Sequence, residues 1–373
     1  MKKKLLSFVL AICLIVPCAF ALTACGSNPP DDPAHTHNWA TTWSKNSTEH
    51  WKTCDNCNEK KDKASHDGDT CSVCGYVKGI DPNPSIPTVA SVRDLEVITM
   101  ATADGGYVTL VKLPDGKNMV LGAGADTFSS ELSMDGLLMN DNGVTTIDYF
   151  VLTGVADLRI GGADSIFDYY EVKEFYYPTF GTSITASSSY NLSLEKAQSE
   201  NACISKIITE NNCDIDYSFK DAQNNIHNYK INFMLPIDFA EATNERDISV
   251  VVSIEYQNKK ILVTGDATVA NIDGYCSKFG ATKNVDVLIT FYTPGEVNAI
   301  AGSANRGTNY LDKIGLAEGD YCVIGINNGS SDVPNLYSKV GYLGNNVYTL
   351  NSSTITTSTA KISTSGVVSV TAE

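Results

Sequence analysis

The chain has 373 residues and is 43% hydrophobic, enough apolar content for one large domain or two modest ones. Its formal net charge is −16, and residues 90–373 alone carry 18 Lys and Arg against 34 Asp and Glu. A surface of that sign repels phosphate backbones unless basic residues cluster, and none do, so non-specific nucleic-acid binding is disfavoured.

The first residues are set apart from the rest. MKKK is a positive n-region, LLSFVLAICLIVPCAFAL an apolar h-region, and LTAC a small-residue ending, which is the order of a secretory signal. LTAC resembles a bacterial lipobox. That resemblance implies a signal peptide over 1–24, with Cys25 lipidated as the new N-terminus. GSNPPDDP then follows as an extended tether over 25–34. No other stretch approaches the roughly 18 apolar residues a membrane span needs. The expectation is a lipid-anchored protein of the Gram-positive surface type, on the outer side of the cell membrane. Its partners would be the membrane, through the lipid, and an envelope protein or ligand that the sequence does not name.

Residues 35–76 crowd four of the five histidines beside four cysteines spaced C-x2-C-x13-C-x2-C. Each C-x-x-C can present two thiolates from a tight knuckle, and two knuckles close a tetrahedral zinc site. A segment this polar buries little apolar surface, so a metal would supply its folding energy. Oxidised C-x-x-C disulfides are the rival reading, but they leave the histidines and Trp39, Trp43 and Trp51 unexplained. The stretch resembles short Cys/His/Trp zinc-ribbon-like repeats of Gram-positive surface proteins. Cys54, Cys57, Cys71 and Cys74 are the simplest ligand set. His37, His50 and His66 are alternates, for example in a set of His37, Cys54, Cys57 and His66. Every option is a closed structural site without an open position. Residues 77–92 read as a Pro- and Gly-rich linker.

From residue 93 to 373 short apolar strands alternate with amphipathic segments. Strands are predicted over 95–100, 107–113 and 118–124, then a helix and turn over 128–143 and a buried strand entering LTGVADLRIGG (152–162). A helix over 164–172 and a strand over 173–180 follow. ISVVVSIEYQNKKILVTGD reads as a hairpin with QNKK as its turn, VANIDGYCSKFG as a helix and VDVLITFY as a buried strand. The Ser/Thr-rich tail (351–365) fits an exposed hairpin. This order argues for a mixed sheet sandwich with helices outside.

Five segments carry a more specific resemblance. MATADGGYVTLVKLPDGKNMVLGAG, LTGVADLRIGG, LVTGDA, VDVLITFYTPG and the closing YCVIGINNGSSDVPNLYSKVGYLGNNVYTLNSSTI follow the outline of the metallo-β-lactamase-fold domain of competence-type DNA-uptake channel proteins. The resemblance implies a four-layer αββα metallo-β-lactamase-like sandwich over 93–373. It implies equally that the metal ligands of that family are missing. Gly106 stands at an aspartate of the first loop and Gly122 at the aspartate of the D-A-G turn. Gly154, Ala156, Leu158 and Arg159 occupy the histidine and aspartate positions of the L-T-H-x-D-x-D-H loop. Tyr292 and Thr293 replace the later histidine pair, and Asp266 alone persists. One carboxylate cannot hold two metal ions and a bridging water, and Arg159 brings a fixed cation. No cofactor is therefore expected in the large domain, whose catalytic residues are absent. An Arg159–Asp266 ion pair is the expected filling of the space.

The resulting expectation is a non-catalytic binding or scaffold domain. A metal-dependent hydrolase with a rebuilt site and a DNA-uptake accessory protein are the alternatives. His227 reads as an exposed loop histidine, and the aromatic run over 167–180 as core. Cys203, Cys213, Cys276 and Cys322 read as buried thiols, with a Cys203–Cys213 disulfide as the rival. No nucleophile elbow or phosphate-binding P-loop is present.

Overall fold

The computed structural model describes residues 36–45, 49–54, 59–77, 86–102, 104–200, 202–208, 214–223, 225–235, 242, 245–265, 267, 284–292, 314–326, 343–351, 353 and 356–373. They form two compact units, divided between Ser85 and Ile86.

The small unit is a three-stranded antiparallel sheet of β1 (Ser44–Lys45), β2 (Glu49–Thr53) and β3 (Lys60–Ser65). β3 is exposed along its length. With so little apolar burial, lysine–tryptophan contacts do part of the packing. Lys52, Lys60 and Lys61 sit over the rings of Trp43, Trp51 and Trp39 at 4.9, 4.1 and 4.7 Å.

The large unit takes up residues ahead of its first predicted strand, because Val89 donates its amide to the Lys220 carbonyl at 2.8 Å. Its first sheet contains β4 (Leu95–Ala101), β5 (Tyr107–Lys112), β6 (Asn118–Leu121), β7 (Thr146–Val151), β8 (Glu171–Pro178) and β9 (Ile204–Ile208). Its second contains β10 (Ile215–Lys220), β11 (Ile226–Met234), β12 (Val251–Tyr256), β13 (Lys259–Val263), β14 (Val287–Tyr292), β15 (Tyr321–Ile326) and β16 (Val347–Leu350). The closing hairpin, β17 (Thr357–Ile362) and β18 (Val368–Ala372), returns to the first sheet. The orders are β18-β17-β4-β5-β6-β7-β8-β9 and β10-β11-β12-β13-β14-β15-β16. Each sheet is antiparallel on one side and parallel on the other: β6 to β9 and β13 to β16 run parallel.

The alternation of each strand explains the layers. Val97, Val111, Leu121 and Val151 point inward from the first sheet and meet Ile231, Val252, Ile254 and Ile289 of the second in one core. Residues of opposite parity, among them Val108, Leu110 and Phe150, pack under α1 (Phe128–Asp135), α3 (Ala163–Tyr169) and α4 (Ser188–Ser199). Phe150 and Phe175 stack there at 5.5 Å, and Phe167 packs edge-on against both at 5.6 and 5.2 Å. This is the mixed α/β sandwich expected from the segment order. Phe175→Ala should cost about 3–5 kcal/mol, read as a drop in the denaturant midpoint at unchanged m-value.

Several local expectations are corrected. The helix over 164–172 ends at Tyr169, and Glu171 and Val172 already belong to β8. The hairpin turn is Gln257–Asn258, not QNKK. Both residues are left-handed (φ 51 and 59), the geometry of a two-residue type I′ turn, so Lys259 and Lys260 start β13. The tail hairpin is half-buried, because β17 pairs with β4 and seats Ala360 and Ile362 in the core. His227 lies in β11, stacked on Phe219 and 3.3 Å from Asp221, rather than in an exposed loop. At the start of α4 the Ser187 hydroxyl caps the Tyr190 amide at 3.1 Å.

The run over 167–180 is core as read, with Phe167, Tyr170, Phe175 and Tyr176 buried. Cys203 and Cys322 are in no disulfide. Burial pushes their thiols up, to about 11 at Cys203 and about 12 at Cys322. Cys25, Cys57, Cys213, Cys276 and the helix expected at 269–280 lie outside the described residues. Among the described residues no helix is long and apolar enough to cross a membrane.

A candidate metal centre and two closely packed loops

In the small unit, β2 pairs with β3 so that His50 faces Ala64, which brings His66, two residues on, alongside. The rings of His50 and His66 lie 5.6 Å apart. The second knuckle is folded by its own backbone: Cys71 donates to the Tyr76 carbonyl at 2.7 Å and Gly75 to the Cys71 carbonyl at 2.9 Å. Asp67 ties this turn down by accepting from the Ser72 amide at 2.9 Å and from the Ser72 hydroxyl. Hydrogen bonds from Ser72 and Cys71 hold its carboxyl low, at about 2. Lys45 donates to the Cys74 carbonyl at 2.9 Å.

These elements converge four ligand atoms, from His50, His66, Cys71 and Cys74, all within 4.8 Å of one another. Cys71 Sγ lies 3.6 Å from His50 Nδ1, and Cys74 Sγ lies 3.5 Å from His66 Nδ1. Tetrahedral zinc, with bonds of about 2.3 Å to sulfur and about 2.05 Å to nitrogen, spans an S···N edge of about 3.6 Å. Two edges of the cluster therefore already have that length. An N2S2 tetrahedron is a donor set suited to zinc. Burial pushes the Cys71 thiol up, but hydrogen bonding from His66 and neighbouring amides brings it down to about 6. Cys74 moves the other way, raised by burial and by the adjacent Cys71.

Of the other expected ligands, Cys54 and His37 sit elsewhere. Cys54 is buried and bridges to Trp39, outside this cluster. His37 stacks on Trp39 and lies 3.3 Å from Glu59. The sequence offered both histidines as alternates, but the C-x-x-C spacing drew attention to four cysteines. The β2–β3 register that sets His50 opposite Ala64, and so brings His66 beside it, has no local sequence signal.

In the large unit, LTGVADLRIGG leaves β7 and enters α2 (Asp157–Ile160). Backbone bonds lace this loop to the one after β6. Gly122 donates to Val151 at 2.9 Å, Ala123 to Arg159 at 2.8 Å, and Gly161 to Gly124 at 2.8 Å. Gly154 is buried, Ala156 is the residue before α2, and Leu158 is half-buried. Arg159 is 4% exposed and donates from Nη1 to the Gly105 carbonyl at 3.1 Å. Its guanidinium lies 5.4 Å from the Tyr107 ring centre. Tyr107 in turn stacks on Phe291 at 4.2 Å. Burial pushes the Tyr107 hydroxyl up to about 12, with Arg159 pulling against it.

Two glycines close the space. A Cβ on Gly106 would stand 2.7 Å from the Ala125 amide nitrogen, 2.8 Å from Thr102 Oγ1 and 2.9 Å from the Leu158 carbonyl oxygen. Gly122 has φ 69, and a Cβ there would meet the Arg159 carbonyl oxygen at 3.1 Å. Asp266 and Thr293 lie outside the described residues, as does the Tyr292 side chain, so the expected Arg159–Asp266 pair does too.

No protein-family model matches the sequence, and no curated protein matches it either. Among solved structures it is similar to Zn2+-bound PqqB from Methylobacterium extorquens, at 12% identity and a TM-score of 0.40, covering 69% of this chain and 97% of that one. A long form RNase Z from yeast is 14% identical, with a TM-score of 0.38, and 68% of this chain covers 40% of it. CmlA, a diiron β-hydroxylase from Streptomyces venezuelae, is 10% identical, with a TM-score of 0.37, and 73% of this chain covers 54% of it. The strand orders and the helices outside the first sheet make the large unit a mixed α/β sandwich of two sheets.

Proposed function

We propose that this is a lipid-anchored protein of the outer membrane face, with a zinc-stabilised small unit and a large unit that binds without catalysing. The observation that supports loss of the metal site most directly is the cradle around Gly106 and Gly122. Ligand-bearing aspartates there would have to displace main-chain atoms 2.7–3.1 Å away. Arg159 supplies the second argument. A buried, permanently charged guanidinium at the expected ligand position repels a divalent cation. Tyr107, Phe291 and Arg159 instead form a stacked plug, and binding rather than turnover is the chemistry left to the sandwich.

In the small unit the metal's role is structural. Four protein donors complete a tetrahedron and leave no position for water or substrate, so the ion supplies cross-linking energy only. The residue pairs His50–Cys71 and His66–Cys74 join the β2–β3 sheet to the knuckle, which little apolar surface would otherwise do.

Metal analysis tests both halves together. The protein expressed from residue 25 onward should hold about one zinc per chain, as one closed four-donor site implies. A form changed at both Cys71 and Cys74 should hold none, showing the large unit empty. Two tightly held divalent ions remaining in that variant, with hydrolysis of a phosphodiester or lactam, would overturn the non-catalytic reading.

A further inference from the structure

At the side of the sandwich where the edges of the two sheets approach, the apolar core gives way to paired charges and phenols. A cavity of about 400 Å³ opens there, between β7, β8 and β9 of the first sheet and β10 of the second. Tyr149, Tyr176 and Tyr217 line it together with Lys117, Lys206 and Glu174. The arrangement is ordered. Lys206 Nζ lies 2.7 Å from Glu174 Oε2 and 3.0 Å from the Tyr176 hydroxyl, which itself donates to Glu174 at 2.6 Å. Across the cavity, Lys117 Nζ donates to the Tyr149 hydroxyl at 3.1 Å and pairs with the buried Asp115 carboxylate at 3.2 Å. The same ammonium lies 3.3 Å over the Tyr217 ring. Behind it, the Tyr229 hydroxyl donates to Asp115 at 3.2 Å.

Charge pairing at an inter-sheet edge costs desolvation that an apolar closure would avoid. What it yields is a concave, pre-oriented set of donors and acceptors of the size that takes a small ligand. Each facing cation is matched by its own carboxylate, Lys117 by Asp115 and Lys206 by Glu174, while Asp214 and Asp216 add exposed carboxylates at the rim. With both cations already paired and carboxylates in excess, an anionic ligand is disfavoured. A neutral ligand dense in hydroxyls finds both partners it needs: phenols and ammonium protons to donate, carboxylate oxygens to accept. Among the described residues Lys206 has two acceptors for its three protons.

We propose that this cavity is a binding site for a neutral glycan segment, held between the Lys206–Glu174–Tyr176 group and the Lys117–Tyr149–Tyr217 group. The site deepens the binding-domain reading but uses none of the residues around Gly106 and Arg159, so it stands or falls separately from the metal question.

The full chain from residue 25 should be applied to an array of neutral and anionic glycans, with hits measured by saturation-transfer NMR. Binding of at least one neutral glycan is expected, weakened at least tenfold by Lys206→Met and by Tyr217→Phe. The paired change Glu174→Gln with Lys206→Gln leaves the net charge of the lining unchanged and should weaken binding as much as Lys206→Met, and circular dichroism confirms which variants fold. Arg159→Lys should leave affinity unchanged. Binding confined to anionic glycans or inorganic phosphate, or no neutral glycan bound by the folded wild type, overturns the proposal. So would a Lys206→Met protein that simply self-associates through its exposed edges while glycan binding is absent throughout, since inward charges also guard sheet edges.

Discussion

Cys71→Ser should empty the small unit of zinc and unfold it, while Cys54→Ser should leave about one zinc per chain. The difference separates two tetrahedra that the sequence alone permits. If His50, His66, Cys71 and Cys74 hold the ion, removing one thiolate leaves three donors and a short sheet with an exposed third strand. Structural zinc typically contributes about 10–16 kcal/mol to folding a module of this kind, so little of the fold should survive. The readout is unusually clean, because all three tryptophans of the chain lie at 39, 43 and 51. Trp43 packs edge-on against His50 at 4.9 Å, so chelation or Cys71→Ser should shift tryptophan emission to the red in the intact protein. The large unit, which holds no tryptophan, stays silent. If Cys54→Ser empties the site equally, the four-cysteine set is the correct one.

The second large effect concerns the two closely packed loops. Gly106→Asp should destabilise the large unit by about 3 kcal/mol or more and should not confer metal binding. Two of the three atoms that crowd a Cβ at Gly106 belong to the main chain, the Ala125 nitrogen and the Leu158 oxygen. Backbone laced by the Gly161–Gly124 and Ala123–Arg159 hydrogen bonds cannot give way as a flexible side chain would. Gly122→Asp should cost less, since its nearest contacts are 3.1–3.3 Å, though φ 69 adds its own strain. Denaturant unfolding with and without added manganese measures both terms. A folded Gly106→Asp, Gly122→Asp double variant stabilised by manganese would show that these loops can accept a metal.

The strands that carry the sandwich were legible because their patterns are strong. Ile147–Leu152 and Val287–Phe291 are apolar runs interrupted only at Asp148 and Thr290, and Leu95–Ala101 is apolar apart from Glu96 and Thr99. β9, β10 and β11 were missed. Their segment, from Ile204 to Met234, mixes Asp, Asn and Lys among its apolar residues, and it becomes sheet only through the register set by β8 and β12. The turn at Gln257–Asn258 was placed correctly but drawn two residues too long, as QNKK, because neither residue is glycine to mark the left-handed pair.

The lack of ligand atoms at Gly106, Gly122, Gly154, Ala156 and Leu158 was visible in the sequence as residue identity, because these side chains carry no metal-binding atoms. How closely the loops around them pack was not visible. That is set where two loops, distant along the chain, approach at Gly106 and Gly122. Likewise the composition of residues 35–76 announced a metal, since a segment so polar has little else to hold it together. Which four side chains converge was decided by β2–β3 pairing and by the fold of the Cys71–Cys74 knuckle. Residue chemistry is local and can be read one position at a time. Distance between side chains is a property of the folded chain, and both the candidate metal centre and the glycan cavity are statements about distance.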